Sequence, residues 1–297
     1  MNDIPTPVKR GFERNHVSHF IFLCSCIFLG SGLFFGRSHA VAQPSTVPCA
    51  PATANMQVFQ EGEELAYEVS YLGVGLGAIT TRITSVDSTK TGLRIATECL
   101  IRTYRGIPFI TLNTRFQSVV GDSLYTTFFR NKEFLADDSV YKYIEYTFPK
   151  NRSRVYVTET VDGHPEWSKR DTIDLEGKRW QDGLSLFFFA RTFSHSRQTC
   201  RVPVLMYFDK AITRIRFGVG QEQENIDALE YDIRCRRLEG ETGFTGIFGL
   251  TGGFEGWFSD DAAAVPIRAK MHVYIGSVNI ELIKWKRKGW KPPRAVS

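Results

Sequence analysis

The sequence predicts a mainly β protein: an antiparallel barrel or roll, or a curved sandwich, with one short buried helix. Three observations carry this expectation. Apolar and polar residues alternate in short runs, as from Glu64 to Tyr71, where Leu65, Tyr67, Val69 and Tyr71 share one parity; that period of two marks a half-buried strand. Such runs recur at near-regular spacing between turn residues, the pattern of sandwiches and barrels. One segment, Asp182 to Phe193, breaks the period. It is apolar nearly all round and begins with a residue suited to cap a helix, so a buried helix is expected there, with a buried strand as the rival reading.

The elements follow in order. Gly73, Gly75 and Gly77 alternate with Val74 and Leu76 after the first strand, which suggests a bend or bulge before Ala78–Ile83 resumes the pattern. They are no phosphate cradle, because neither Lys-Ser/Thr nor a helix pattern follows. Leu93 to Ile101, Thr111 to Val120, Leu124 to Arg130, Val140 to Phe148 and Arg154 to Val161 read as strands. So do Val202 to Phe208, Arg214 to Val219 and Tyr231 to Leu238, and finally a hairpin of Ala269–Tyr274 and Val278–Trp285. From Gly240 to Gly252 every third residue is glycine, with Phe244, Ile247, Phe248 and Leu250 between. Glycine at this density costs backbone entropy, so the segment reads as a long turn or an apolar flap.

The N-terminus reads as an address. Lys9, Arg10 and Arg14 precede a mostly apolar run from Val17 to Phe35, and Ala40-Val41-Ala42 offers a small-x-small site. That is a secretory signal over 1–42, cleaved before Gln43 or retained as an anchor. A Pro-, Ala- and Thr-rich linker spans 43–57, a single β domain 58–285, and a basic tail 286–297. Removal of the signal would leave roughly 255 residues, ample for a large β core. Export permits disulfides; Cys49, Cys99, Cys200 and Cys235 would remain, and a Cys200–Cys235 bridge is one pairing to test.

The whole chain carries a formal charge of +5, but its basic character is local. Residues 284–297 hold six Lys/Arg and no carboxylate, leaving a net negative body. A negative body and export both argue against nucleic acid as a partner. Trp285 and Trp290 lie among these cations, a composition suited to an anionic membrane surface; a solvated, frayed end is the plain alternative.

Chemistry is sparse. Trp257-Phe258-Ser259-Asp260-Asp261 invites an acid/base reading, but neighbours on a strand face opposite sides. Glycosidase carboxylates must face each other across a bond, about 5–9.5 Å apart. Asp260 and Asp261 therefore read as turn formers, as do Asp137 and Asp138. After the signal only His164, His195 and His272 remain. No G-x-S-x-G elbow accompanies Ser185 or Ser194. No catalytic residue, metal ligand or cofactor is assigned.

Three blocks nevertheless resemble a known family. Phe59-Gln60-Glu61-Gly62-Glu63-Glu64-Leu65-Ala66-Tyr67 with Val69–Gly73 and Gly77-Ala78 open the resemblance. Gln181-Asp182-Gly183-Leu184-Ser185 with Arg191 form its middle. Trp257–Asp261, Pro266-Ile267, Gly276-Ser277-Val278 and Glu281-Leu282 close it. In this order they resemble domain-of-unknown-function family 3108, and the resemblance implies an exported, mostly β protein of Gram-negative bacteria without an established activity. Ala262-Ala263-Ala264 stands where that family usually has a basic residue. Asp182, Arg191, Trp257, Asp260 and Asp261 are the candidate ligand-binding residues. The expected role is an envelope β-domain that binds an apolar or amphiphilic envelope component or a partner protein in the periplasm, associated with the outer membrane in one version. A hydrolase of envelope glycan or lipid and a non-catalytic scaffold are the alternatives. An empty interior would favour a ligand; a filled one, the scaffold.

Overall fold

The alternation of Leu65, Tyr67 and Val69 becomes the buried face of the first strand, β1 (Glu64–Tyr71). The computed structural model describes residues 54–89, 92–108, 111–121, 123–135, 138–149, 151–243, 252–273 and 276–295. The expected signal, and the linker as far as residue 53, lie outside them. After β1 come β2 (Val74–Thr89), β3 (Gly92–Thr103), β4 (Asn113–Gly121), β5 (Thr126–Phe134), β6 (Val140–Thr147), β7 (Arg154–Val161) and β8 (Lys169–Asp174). The helix α1 (Gly183–Phe193) separates these from β9 (Thr199–Met206), β10 (Asp209–Glu224), β11 (Ile233–Thr242), β12 (Gly252–Ser259), β13 (Pro266–His272) and β14 (Ser277–Lys286).

These strands form one 14-stranded sheet in the order β8-β7-β6-β5-β4-β3-β2-β1-β14-β13-β12-β11-β10-β9, with antiparallel pairing throughout. The first and last strands therefore lie side by side in its middle, Glu64 opposite Lys286 and Tyr71 opposite Val278. The edge strands β8 and β9 do not pair with each other. The chain after β8 links β5 to β9 instead: Thr126 N, at the start of β5, donates to Trp180 O, while Gln181 exchanges backbone bonds with Pro203 and Leu205 of β9.

The helix fills the space this curl encloses. Phe189, Ala190 and Phe193 pack on β9 and β10 through Cys200, Val202, Val204, Ile215 and Phe217. Leu184 and Phe188 pack on β2–β4 through Ile83, Ile95, Cys99, Ile101 and Val120. A third cluster of Phe129, Ile144, Tyr146, Val155 and Val157 closes on Trp180 and Leu205. A helix apolar on nearly every side thus finds sheet on both sides of it.

Local differences from the sequence reading have physical causes. The bulge expected at the glycines is present: register slips between Val69 and Ser70, leaving Leu76 unopposed. At Gly77 a Cβ would stand 2.5 Å from the Arg102 carbonyl oxygen, so only glycine admits that approach. The later glycines are not one loop. Gly240 belongs to β11 and Gly252, Gly253 and Gly256 to β12; a Cβ on Gly240 would meet the Phe254 ring at 2.4 Å. Residues 244–251 of the expected flap lie outside the described residues. The polar strand β8 and the three-residue helix Pro165–Trp167 were not foreseen.

The Cys200–Cys235 pairing is corrected. Cys200 is disulfide-bonded, but Cys235 and Cys99 are free, buried thiols. β10 lies between the strands that carry Cys200 and Cys235. Two strand spacings, about 9.6 Å, exceed the Cα separation a disulfide spans.

Bonding to the domain also begins within the expected linker. Asn55 caps a short 3-10 turn over Met56–Val58, its backbone N–H donates to Thr192 O at 2.8 Å, and its side chain donates to Ala262 O at 2.9 Å. At the other terminus, residues 287–295 lie along the domain. Arg234 N donates to Pro293 O, Ala295 N to Asp232 O, and the Tyr231 hydroxyl to Pro292 O. Trp290 packs edge-on against Trp285 and donates its indole N–H to Asp261 Oδ2 at 2.8 Å. The frayed end set out above is thereby replaced by a bonded strap, since Pro292 O and Pro293 O accept from the domain while Ala295 N and the Trp290 indole donate to it.

Candidate functional site

Four of the five candidate residues sit at α1 or in the β12/β13 turn beside it, and Trp257 stands apart on β12. Asp182 is the helix N-cap. Its Oδ1 accepts from Leu184 N and Ser185 N, both at 2.8 Å, and Ser185 Oγ accepts from Asp182 N to complete a capping box. Oδ2 accepts from Ser118 Oγ of β4 at 2.6 Å and Thr126 Oγ1 of β5 at 2.7 Å. One buried carboxylate therefore starts the helix and fixes it to two strands. Burial pushes this carboxyl above its usual range, against the pull of the four donors.

Arg191, in the last turn of α1, is also buried. Its guanidinium grips Glu63 with both nitrogens, Nη1 to Oε1 at 2.6 Å and Nη2 to Oε2 at 3.0 Å. It also donates to Ala263 O at 3.1 Å and Ala264 O at 3.3 Å in the β12/β13 turn. Arg287 reaches the same Glu63 carboxylate from the C-terminal strap, and donates to Val58 O and Gln57 O. Start, helix, turn and end of the domain meet on Glu63. Sequence reasoning selected Arg191 but missed Glu63 and Arg287, which read as solvent charges in E-G-E-E and K-R-K.

Asp261 closes the β12/β13 turn. Its Oδ1 accepts from Ser259 Oγ, Ala263 N and Ala264 N at 2.9–3.1 Å, and its other oxygen holds Trp290. Ala264 carries a positive φ of 44° within this turn. Asp260 points elsewhere, to Arg236 Nε at 2.6 Å, Gln221 at 2.9 Å, and Arg234 and His195 at 3.4 Å. Burial alone would raise the Asp260 carboxyl; the Arg236 bond and charge, with His195 and Arg234, hold it below the usual range. The adjacent aspartates thus serve separate networks, one internal to the turn and one on neighbouring strands.

Trp257 is buried. Its indole N–H donates to Glu222 at 2.6 Å, and Arg237 and Lys270 stand over its ring. Asp138 forms the turn expected of it, with φ 62° and its N–H on Leu135 O; Asp137 lies outside the described residues.

A line of contacts runs Ser194 Oγ, His195 Nδ1 at 3.2 Å, His195 Nε2, Asp260 at 3.4 Å. It is not an activated nucleophile. Ser194 is buried and its hydroxyl donates to Arg191 O at 2.9 Å, so no substrate carbonyl reaches it. Burial and Arg236 lower the basicity of His195. His164 stacks on Trp167 in the β7/β8 connection, and His272 ends β13. No group of three or more metal-ligating side chains occurs among the described residues.

Two grooves mark the outer face. One of about 640 Å³ crosses β5–β7 between Arg130, Lys132, Tyr143, Glu145, Thr158 and Asp162. Another of about 300 Å³ crosses β2–β5. They share Arg130, which is paired with Glu145 at 2.8 Å.

The family model described as "Protein of unknown function (DUF3108)" matches residues 66–283, from β1 to β14. The chain belongs to the DUF3108 family. The match takes in Asp182, Arg191, Trp257, Asp260 and Asp261, while Glu63 and Arg287 fall just outside it. None of the curated proteins compared with this DUF3108 chain matches it. Among solved structures, it is similar to a β-barrel-like protein of domain of unknown function DUF1849 from Brucella abortus: 14% identity, 76% of this chain and 97% of that one, TM-score 0.49. It is also similar to a candidate exported protein with a YmcC-like fold from Bacteroides fragilis, with 11% identity, 77% and 97% coverage and TM-score 0.37. A candidate lipoprotein from Parabacteroides distasonis follows, with 10% identity, 77% and 96% coverage and TM-score 0.35.

Proposed function

We propose that this DUF3108 protein is an exported, non-catalytic envelope domain of a Gram-negative periplasm that engages an amphiphilic envelope component or a partner protein on its surface. The tripartite N-terminus supports export. The observation that carries surface binding is the set of exposed large apolar side chains, Leu72, Val74, Leu135 and Trp167 among them; α1 and three apolar clusters occupy the inner side of the sheet, so recognition falls to the outer face and edges. The carboxylates that invite a hydrolytic reading are taken up by a helix cap, a turn and an arginine cluster. The same filling favours a second reading, a scaffold without ligand.

Native mass spectrometry on gently purified full-length protein tests the proposal. Adducts of lipid or protein mass that leave without unfolding the domain are expected. Their consistent absence supports the scaffold. Hydrolysis of envelope glycan or lipid that vanishes in a folded Asp260→Asn variant would overturn both.

A further inference from the structure

Antiparallel order places the β1/β2, β3/β4, β5/β6 and β7/β8 connections along one edge of the sheet. Each carries a large apolar side chain turned outward: Leu72 68% and Val74 57% exposed at the first, Tyr104 41%, Leu135 49% and Trp167 47% at the next three. Contacts tie the first three together. Tyr104 N donates to Leu76 O, and Arg102 and Asn113 both donate to Asp138 in the β5/β6 turn.

The connections at the opposite edge behave otherwise. Leu124 in the β4/β5 turn is 4% exposed, and Ile226 between β10 and β11 and Ala263 to Val265 between β12 and β13 are buried. One sequence therefore turns its apolar loop residues inward at one edge and outward at the other. Scattered single apolar residues on a surface are ordinary; their alignment on four consecutive hairpins is not.

Resting on the surface-binding reading, we propose that this hairpin edge is a membrane-docking edge that settles on a lipid bilayer surface. The tips stand about 10 Å apart, two strand spacings, as separate points, with Tyr104 bonded to Glu68 and the Trp167 ring stacked on His164. A bilayer conforms to such a ridge, whereas a protein partner would need matching grooves. Aliphatic tips enter the acyl boundary while Tyr and Trp rings rest at headgroup level. The charge agrees at the first two tips: neither the β1/β2 nor the β3/β4 connection holds a carboxylate, and Arg105 there is exposed toward anionic headgroups, whereas β5/β6 carries Asp137 and Asp138, the latter paired with Arg102, and β7/β8 carries Asp162 and Glu166. The basic tail is the competing docking element, but Trp290 and Arg287 are bonded into the domain.

Flotation of the full chain with phosphatidylethanolamine/phosphatidylglycerol vesicles tests this. Wild type should float, and the Leu72→Asp, Val74→Asp, Leu135→Asp variant should lose roughly tenfold or more in partitioning with an unchanged circular dichroism spectrum. Lys288→Glu, Lys291→Glu should float as wild type does. Because the triple variant could fail to fold, Val74→Trp supplies a second readout: its added emission should be quenched by acyl-brominated lipid. Absence of wild-type flotation overturns the docking edge. Flotation lost in the lysine variant but kept in the triple variant, or an unquenched Val74→Trp, also overturns it, yet leaves surface binding as such intact. Native adducts of protein alone, without flotation, would likewise remove the edge and keep the broader reading.

Discussion

Replacing Arg191 with Met tests whether Glu63 is the joint of the domain. The side chain makes four hydrogen bonds, two to Glu63 and one each to Ala263 O and Ala264 O, all buried. Removing one partner of a buried ion pair costs about 3–5 kcal/mol. Arg287 stays on Glu63 in the variant, so the carboxylate keeps a counter-charge and the low end applies. The two turn carbonyls lose their donor, at about 1 kcal/mol each where water does not replace it. The expected loss is therefore about 4–5 kcal/mol, a large share of a typical 5–15 kcal/mol. With a urea slope near 3 kcal/mol/M for a chain of this size, the midpoint should fall by roughly 1.5 M. Arg191→Lys keeps the charge but not the planar fork, and should lie between the two. Unfolding in urea, followed by fluorescence and circular dichroism, measures this. A midpoint within roughly 0.3 M of wild type at unchanged slope would show that the network joins nothing of consequence. So would strict additivity with Glu63→Gln, because residues sharing one network couple.

Two further outcomes follow from the aspartate pair and its histidine. Asp261→Asn disturbs three turn donors and the Trp290 indole, and should cost about 2–3 kcal/mol against about 1 kcal/mol for Asp260→Asn on its more open arginine cluster; equal losses in thermal unfolding would contradict the division of roles. His195, lowered below its ordinary value by burial and Arg236 against the pull of Asp260 and Asp261, binds its proton less readily folded than unfolded. Its contribution is present above the unfolded value near 6.5 and is lost as pH falls below it. Melting temperature should therefore drop on acidification through that window, less steeply in His195→Gln; parallel curves for the two proteins would refute the assignment.

What could be read from sequence was periodic or local. Leu65, Tyr67 and Val69 announce a buried face because a strand repeats every two residues, and Asp182 announces a helix because a cap acts within three residues. The carboxylates of Asp260 and Asp261 could be placed in a turn for the same reason. β8 escaped notice because Lys169-Arg170-Asp171-Thr172 is an edge, and edges are blunted with charge instead of patterned. β12 was hidden by its own glycines, of which Gly253 makes room for the His272 ring and Gly256 for Phe258 and Leu238, neighbours that only the packed sheet reveals. The Glu63–Arg191–Arg287 joint links positions far apart in the chain, and nothing local distinguishes its members from solvent charges. The strap was not legible in the composition of the basic tail: the bond of Trp290 to Asp261 and its edge-on packing against Trp285 link positions that no local pattern connects.

The pairing of β1 with β14 at the centre of the sheet sets an order of assembly. Every other ladder joins strands consecutive in the chain. Only β1·β14 closes a loop of roughly 220 residues, at an entropic cost near 5 kcal/mol by (3/2)RT ln n. A chain emerging N-terminus first can build the β1–β8 arm alone, with β1 left as an open edge of unpaired N–H and C=O groups. The β9–β13 arm then forms with its own open edge. Until the last strand arrives the nascent protein carries, besides the lasting edges β8 and β9, two further strand edges, β1 and β13, able to pair with foreign chains, and β14, by covering both of these, is at once the final piece of the fold and the guard against aggregation.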